Sequence, residues 1–180
     1  MRYSRRPTTL ALDPGTRRIG IAVVDGGKLI YHGVKTLHQG GTPRDHLDGG
    51  RRTVLRLIRD FRPAVLVVEK AFLSASRNAA LLNVLVDEIR AVARQHGIAV
   101  LGLATSTVKK RVTGDGRATK QQVARAVVAR YPELRVYLGQ NRQWKERYHG
   151  NMFDAVAVAL AAGKSDDNRP RVVGTAAVSR

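Results

Sequence analysis

Three carboxylates in this 180-residue chain stand in apolar company. Asp13 closes the run TTLALD, Glu69 closes AVLVVE, and Asp154 sits inside NMFDAVAVALAA. Most of the 14 acids occupy polar, turn-like or exposed-helix settings instead. An ionised carboxylate beside a core is costly unless a cation answers it. Several hard oxygen ligands at one point suit Mg²⁺, which keeps some waters and takes its other ligands from carboxylate and phosphate. Two such ions about 4 Å apart could activate a water and stabilise the leaving oxygen in phosphodiester cleavage. The alternative is that each acid pairs separately with one of the abundant Arg or Lys side chains. Spacing alone leaves both arrangements open.

The charge balance names a class of partner. Lys and Arg number 32 against 14 Asp and Glu, a net charge of +18 and a pI near 11.4. Self-repulsion on that scale opposes folding, and a polyanion such as nucleic acid relieves it. The densest basic stretch is TVKKRVTGDGRATK, which carries Lys109, Lys110, Arg111, Arg117 and Lys120. These residues can track phosphates, or they can form a solvated face without defined contacts. Gly114 and Gly116 within it permit a tight turn or a close backbone approach to phosphate. A second cluster joins Trp144 and Tyr148 to Arg142, Lys145 and Arg147, and it can stack on bases or pack a loop on the core.

Positioning the three acids requires a sheet. Thr8–Asp13, Ile19–Val24 and Leu29–Val34 read as three strands joined by tight turns, an antiparallel meander. Residues 35–50 are polar and Gly-rich and read as a loop. Leu55, Leu57, Ile58 and Phe61 recur at helical spacing, and Arg62-Pro63 ends that helix. Ala64–Val68 is an apolar strand ending in Glu69, Leu81–Val92 marks a helix, and Ile98–Leu103 reads as another buried strand. A helix over Thr119–Tyr131, a short edge strand over Arg135–Leu138 and a last helix over 151–162 complete the pattern. Its fold class is α/β, a mixed sheet of antiparallel meander plus parallel strands with helices on both faces. Residues 1–163 are expected to form one domain and 164–180 a loose tail.

The absence of cysteine removes disulfides and thiolate metal sites and fits a reducing compartment, so a cytoplasmic, nucleoid-associated protein is expected. No apolar run approaches the roughly 20 residues of a membrane span. The basic start MRYSRRP is too short before the first strand to read as a targeting segment.

Taken in order, LALDPGTRRIGIAVVD, LVVEKAF, VKKRVTGDGRATKQQV and FDAVAVALA resemble the RuvC Holliday junction resolvases over roughly residues 8–162. The resemblance implies an RNase H-like fold and places Asp13, Glu69 and Asp154 at the family's metal-binding acids. It implies Mg²⁺, with Mn²⁺ able to substitute and two ions per site. It also implies a homodimer that nicks opposing strands of a four-way junction symmetrically, with a branch-migration helicase as a candidate partner. Phe72 matches the aromatic that the family places near the junction centre, where it can wedge a base step. Lys109 and Lys120 match family lysines, and Lys120 is the candidate for stabilising transition-state charge.

One position departs from the pattern. The family usually carries an acid or a His three residues before the final Asp, and this chain has Asn151. Asn can ligate Mg²⁺ through its neutral oxygen, but it cannot act as a base. Asn151 with Asp154 also resembles a helix N-cap pair. His149, in the loop expected before that helix, is a candidate to complete the site by activating the attacking water. Glu146 reads as a partner of Lys145 or Arg147.

The competing functions are a catalytically weak or inactive junction binder and another RNase H-like nuclease. A transposase would carry further DNA-recognition domains, for which 180 residues leave no room. DPGT also resembles the phosphate turn of actin-like kinases, which need two such domains.

Overall fold

The structure is a computed structural model that describes residues 7–37, 42–70, 77–138 and 143–164, without the side chains of 77–78 and 143–148. Three strands open it as expected: β1 (Thr9–Pro14), β2 (Arg18–Asp25) and β3 (Lys28–Thr36), paired antiparallel. The β2–β3 turn places Gly26 at φ 58° and Gly27 at φ 87°. Two successive left-handed residues match the right-handed twist of a hairpin, and glycine takes them without steric cost.

Helices and parallel strands follow: α1 (Pro43–Phe61), β4 (Val65–Glu69), α2 (Arg77–Gln95), β5 (Ala99–Leu103), α3 (Thr105–Thr113) and α4 (Lys120–Arg130). A 3-10 helix (Pro132–Tyr137) and α5 (Gln143–Gly163) complete the chain. The five strands lie in the order β3-β2-β1-β4-β5, with β1, β4 and β5 parallel. Strand alternation divides the core in two. Leu10, Leu12, Ile21, Val23, Leu66 and Val68 pack against α1 and α2. Ala11, Ala22 and Val67 face α3, α4 and α5 on the other side. The expected mixed sheet with helices on both faces is therefore present.

Four element assignments change. The expected 35–50 loop is largely structured, since β3 runs to Thr36 and α1 begins at Pro43. Thr42 and Asp45 form a capping box ahead of Pro43, and buried Gly50 sits where an added Cβ would lie 2.4 Å from Leu85 Cδ1. Gly50, which read as loop, thus marks a close crossing of α1 and α2. The expected 135–138 strand is a 3-10 helix, because Pro132 presets its first turn and Leu134 and Leu138 donate to Tyr131 and Arg135 carbonyls. Strand β5, expected to be buried, is the sheet edge and is mostly half-exposed. Finally, α5 starts at Gln143 rather than 151, so Asn151 is not a cap and Asp154 lies deep within the helix.

Candidate active site

Register brings the first two acids together. Leu12 pairs with Val68 across the parallel β1–β4 ladder, so the next residues, Asp13 and Glu69, sit side by side at the C-terminal strand ends. Open α/β sheets present ligands at such ends. Alternation with Ala11 and Val67 turns both acids toward α5.

Helix α5 delivers the third acid because the sheet lets it approach closely. Gly20 is the β2 partner of Asp13, and a Cβ built there would stand 1.9 Å from the backbone oxygen of Asn151. Only glycine admits that contact. Ala11 and Ala22 on the strands and Ala155 and Ala159, one and two turns beyond Asn151 on the same face of α5, keep the layers near along the crossing. Asn151 therefore lies over Asp13, and Asp154 follows one turn later on the same side.

Each acid meets a different donor. Asn151 Nδ2 donates to Asp13 Oδ2 at 3.0 Å, and Lys120 Nζ donates to Asp154 Oδ2 at 3.1 Å. The Thr105 hydroxyl donates to Glu69 Oε1. The acids still feel one another. Desolvation pushes the Asp13 pKa up to about 7, helped by the negative charges of Asp154 and Glu69; the Asn151 hydrogen bond and Lys120 oppose that rise. Desolvation also raises Glu69, against the Thr105 hydrogen bond, with Asp154 adding to the rise and Lys120 and Lys109 opposing it. The Asp154 charge raises Lys120. Three hard oxygen donors in mutual repulsion, one of them held close to neutral, fit a divalent cation by donor chemistry. Among the described residues, however, no three His, Asp or Glu side chains stand close enough to hold one ion jointly. Holding one ion jointly thus requires the acid side chains to turn toward a common point.

The remaining sequence candidates divide. Lys109 is half-buried and its charge acts on Glu69, so it belongs to the site. Lys110 and Arg117 are exposed nearby in chain, on α3 and on the turn before α4. Arg111 points elsewhere, donating from Nη1 to the Ala161 carbonyl at 3.2 Å, seven residues past Asp154 along α5. His149 packs its ring on Tyr137 with centroids 4.7 Å apart, and Tyr137 meets His32 of the edge strand β3 at 5.7 Å. That cluster lies toward the β3 side of α5, whereas Asp13 and Glu69 lie on β1 and β4. Phe72 falls outside the described residues, as do the side chains of Trp144, Glu146 and Tyr148.

Two residues escaped the sequence reading. Gly20 carried a usable signal, since glycine inside an apolar strand marks a close backbone approach. Thr105 carried none, because a threonine at a helix start is commonplace.

Comparison with known proteins places the chain. The family model of crossover junction endodeoxyribonuclease RuvC matches residues 9–161. RuvC of Rubrobacter xylanophilus is 37% identical over 131 residues, covering 67% of this chain and 70% of its own length. RuvC of Neorickettsia sennetsu is 31% identical over 164 residues, covering 87% and 93%. Among solved structures, T. thermophilus RuvC in complex with Holliday junction substrate superposes with a TM-score of 0.71 at 22% identity, over 88% of this chain and 93% of that one. The yeast mitochondrial Holliday junction resolvase superposes at 0.65 and 14% identity, over 85% and 76%. These likenesses establish the RNase H-like fold. By its family model and its relatives, this chain belongs to the crossover junction endodeoxyribonuclease RuvC family.

Proposed function

We propose that this chain is a Holliday junction resolvase that cuts four-way DNA junctions by metal-dependent phosphodiester hydrolysis. What supports the site is that Asp13 and Glu69 end adjacent strands while α5, docked on Gly20, carries Asp154 near enough for its charge to act on both. Asp13, Glu69 and Asp154 would hold the cation, with the Asn151 carboxamide oxygen as a neutral fourth donor. A bound Mg²⁺ pair, or Mn²⁺ in its place, supplies Lewis-acid activation of water and phosphate.

The chain's own groups do the rest. Lys120 is 83% exposed and tethered to Asp154, so it can swing to a phosphate and stabilise developing negative charge there. Lys109 stands beside Glu69, and Lys110 and Arg117 extend the basic strip for backbone contacts. Arg111, held on α5, supports that strip from behind. Phe72 is proposed as the wedge at the junction centre. Symmetric nicking needs two sites, hence a homodimer, with a branch-migration helicase as candidate partner and the cytoplasmic nucleoid as location. Among the described residues no helix is long and apolar enough to cross a membrane.

A second reading, junction binding without cleavage, draws on the Asn151 contact that occupies Asp13 with a neutral donor. One experiment separates the two. End-labelled four-way junction, linear duplex and RNA–DNA hybrid are incubated with the protein in Mg²⁺, Mn²⁺ or EDTA, beside Asp13→Asn and His149→Ala. Symmetric nicks confined to the junction are expected, lost in EDTA and reduced more than about 100-fold in Asp13→Asn. His149→Ala should keep cleavage, given its place on Tyr137. Tight junction binding with no cleavage in any metal would establish the binder instead.

A further inference from the structure

Glu69 is bonded by an element outside the β1–α5 crossing. Among the described residues, the Thr105 hydroxyl is the one hydrogen-bond donor to its carboxylate. The backbone leaves little freedom in that contact. Glu69 pairs with Leu103 in the β4–β5 ladder, and the next amide, Lys70, donates to the Leu103 carbonyl at 2.7 Å. Thr105 follows two residues later as the first residue of α3 and is half-buried. Threonine at a helix start commonly turns its hydroxyl back to the local backbone. Here the capping position is Ala104, which makes no side-chain cap, and the Thr105 hydroxyl goes to Glu69.

One helical turn further, Lys109 lies on the same side of α3, and its charge also favours ionised Glu69. Helix α3 thus addresses one carboxylate with a neutral donor and a cation. We propose that Thr105 is a positioning residue for Glu69, fixing the carboxylate so that the metal-binding acids and the Lys109 phosphate contact share one geometry. This rests on the nuclease reading, and it assigns to α3 a part in metal binding as well as in DNA contact. The hydroxyl leaves one Glu69 oxygen without a hydrogen bond among the described residues, the oxygen available to a cation.

The test is a comparison of Thr105→Val, which keeps the shape, with Thr105→Ser, which keeps the hydroxyl. Mn²⁺ affinity is measured by calorimetry on the full chain without DNA, beside junction affinity in EDTA and junction cleavage. Thr105→Val should weaken Mn²⁺ binding about 10-fold and slow cleavage about 10- to 100-fold, as loss of a ligand-orienting partner does. Junction affinity in EDTA and the melting temperature should stay near the parent's, and Thr105→Ser should restore Mn²⁺ affinity to within about threefold. Parental Mn²⁺ affinity in Thr105→Val would overturn the proposal even if the parent cuts junctions. So would a Thr105→Val that binds Mn²⁺ poorly only because it has lost its cooperative melt, with Thr105→Ser behaving likewise. If the parent fails to cut but Thr105→Val still weakens Mn²⁺ binding, the positioning role stands and the nuclease reading falls.

Discussion

At the residue scale, the site is built so that folding without a cation is uncomfortable for Asp13. Its pKa rises from the usual 3.8 to about 7, first through desolvation and then through Asp154 and Glu69. An unfolded chain ionises this carboxyl near pH 4, whereas the folded chain keeps the proton until about pH 7. Between those values the folded state binds more protons, so stability falls as pH rises and levels off above 7. The contribution is full below pH 4 and lost through the folded pKa. In EDTA, the parent should therefore melt at a lower temperature at pH 8 than at pH 5. Asp13→Asn should flatten that slope and be more stable than the parent at pH 8, by on the order of a few kcal/mol. The flattening is partial because Glu69 is raised in the same direction. Melts at both pH values check it, and an Asp13→Asn slope equal to the parent's would mean that Asp13 is already ionised in the folded protein. The same titration implies that a cation displaces a proton from Asp13 below about pH 7, so metal affinity should drop as the solution is acidified.

At the element scale, everything depends on one crossing, α5 over β2. Gly20→Ala would put a methyl 1.9 Å from a backbone oxygen, and neither partner is a flexible side-chain tip. The helix must move, at a cost of about 1–3 kcal/mol or more. Because Asn151 and Asp154 ride on that helix, cleavage should fall by more than the stability loss explains. Urea denaturation and single-turnover cleavage measured on the same variant check both halves of this expectation. The crossing also shows what could be read in advance. Asp13 and Glu69 were legible because each ends an apolar run, and Asp154 because it interrupts one. The strands, their turns and the two-sided helical cover followed from the same periodicity. The start of α5 was not legible, because WKERYHG carries no apolar stripe of its own and reads as a loop. His149, expected in that loop, lies within α5 with its ring on Tyr137. The 3-10 helix was missed because Val136 and Leu138 fit a strand pattern, yet Val136 is 68% exposed and is part of no sheet ladder. Thr105 acts across the sheet, through a contact 36 residues away in sequence, which no local pattern encodes.

At the scale of the whole molecule, a charge of +18 makes DNA affinity largely a matter of counterion release, while the small acidic centre decides where cutting occurs. These two contributions separate experimentally because they respond to different residues. Each lysine or arginine that neutralises a phosphate adds roughly 0.9 to the slope of log affinity against log salt on duplex DNA. Lys110 and Arg117 are exposed in the basic stretch that also carries Lys109 and Lys120, and neither makes a side-chain ion pair among the described residues. The double variant Lys110→Gln, Arg117→Gln should therefore lower the salt slope of junction binding by about two and weaken binding to junction and linear duplex alike. At saturating protein its cleavage rate should match the parent's, since neither residue touches an acid. Lys120→Gln should behave differently. Its ammonium is bonded to Asp154 and acts on Asp13 and Glu69, so its loss should reduce the salt slope by about one and also the rate at saturation. Equal effects of both variants on the saturated rate would mean that the whole strip orients the scissile phosphate. A slope unchanged in the double variant would mean that the phosphates run along another face of this strongly basic surface.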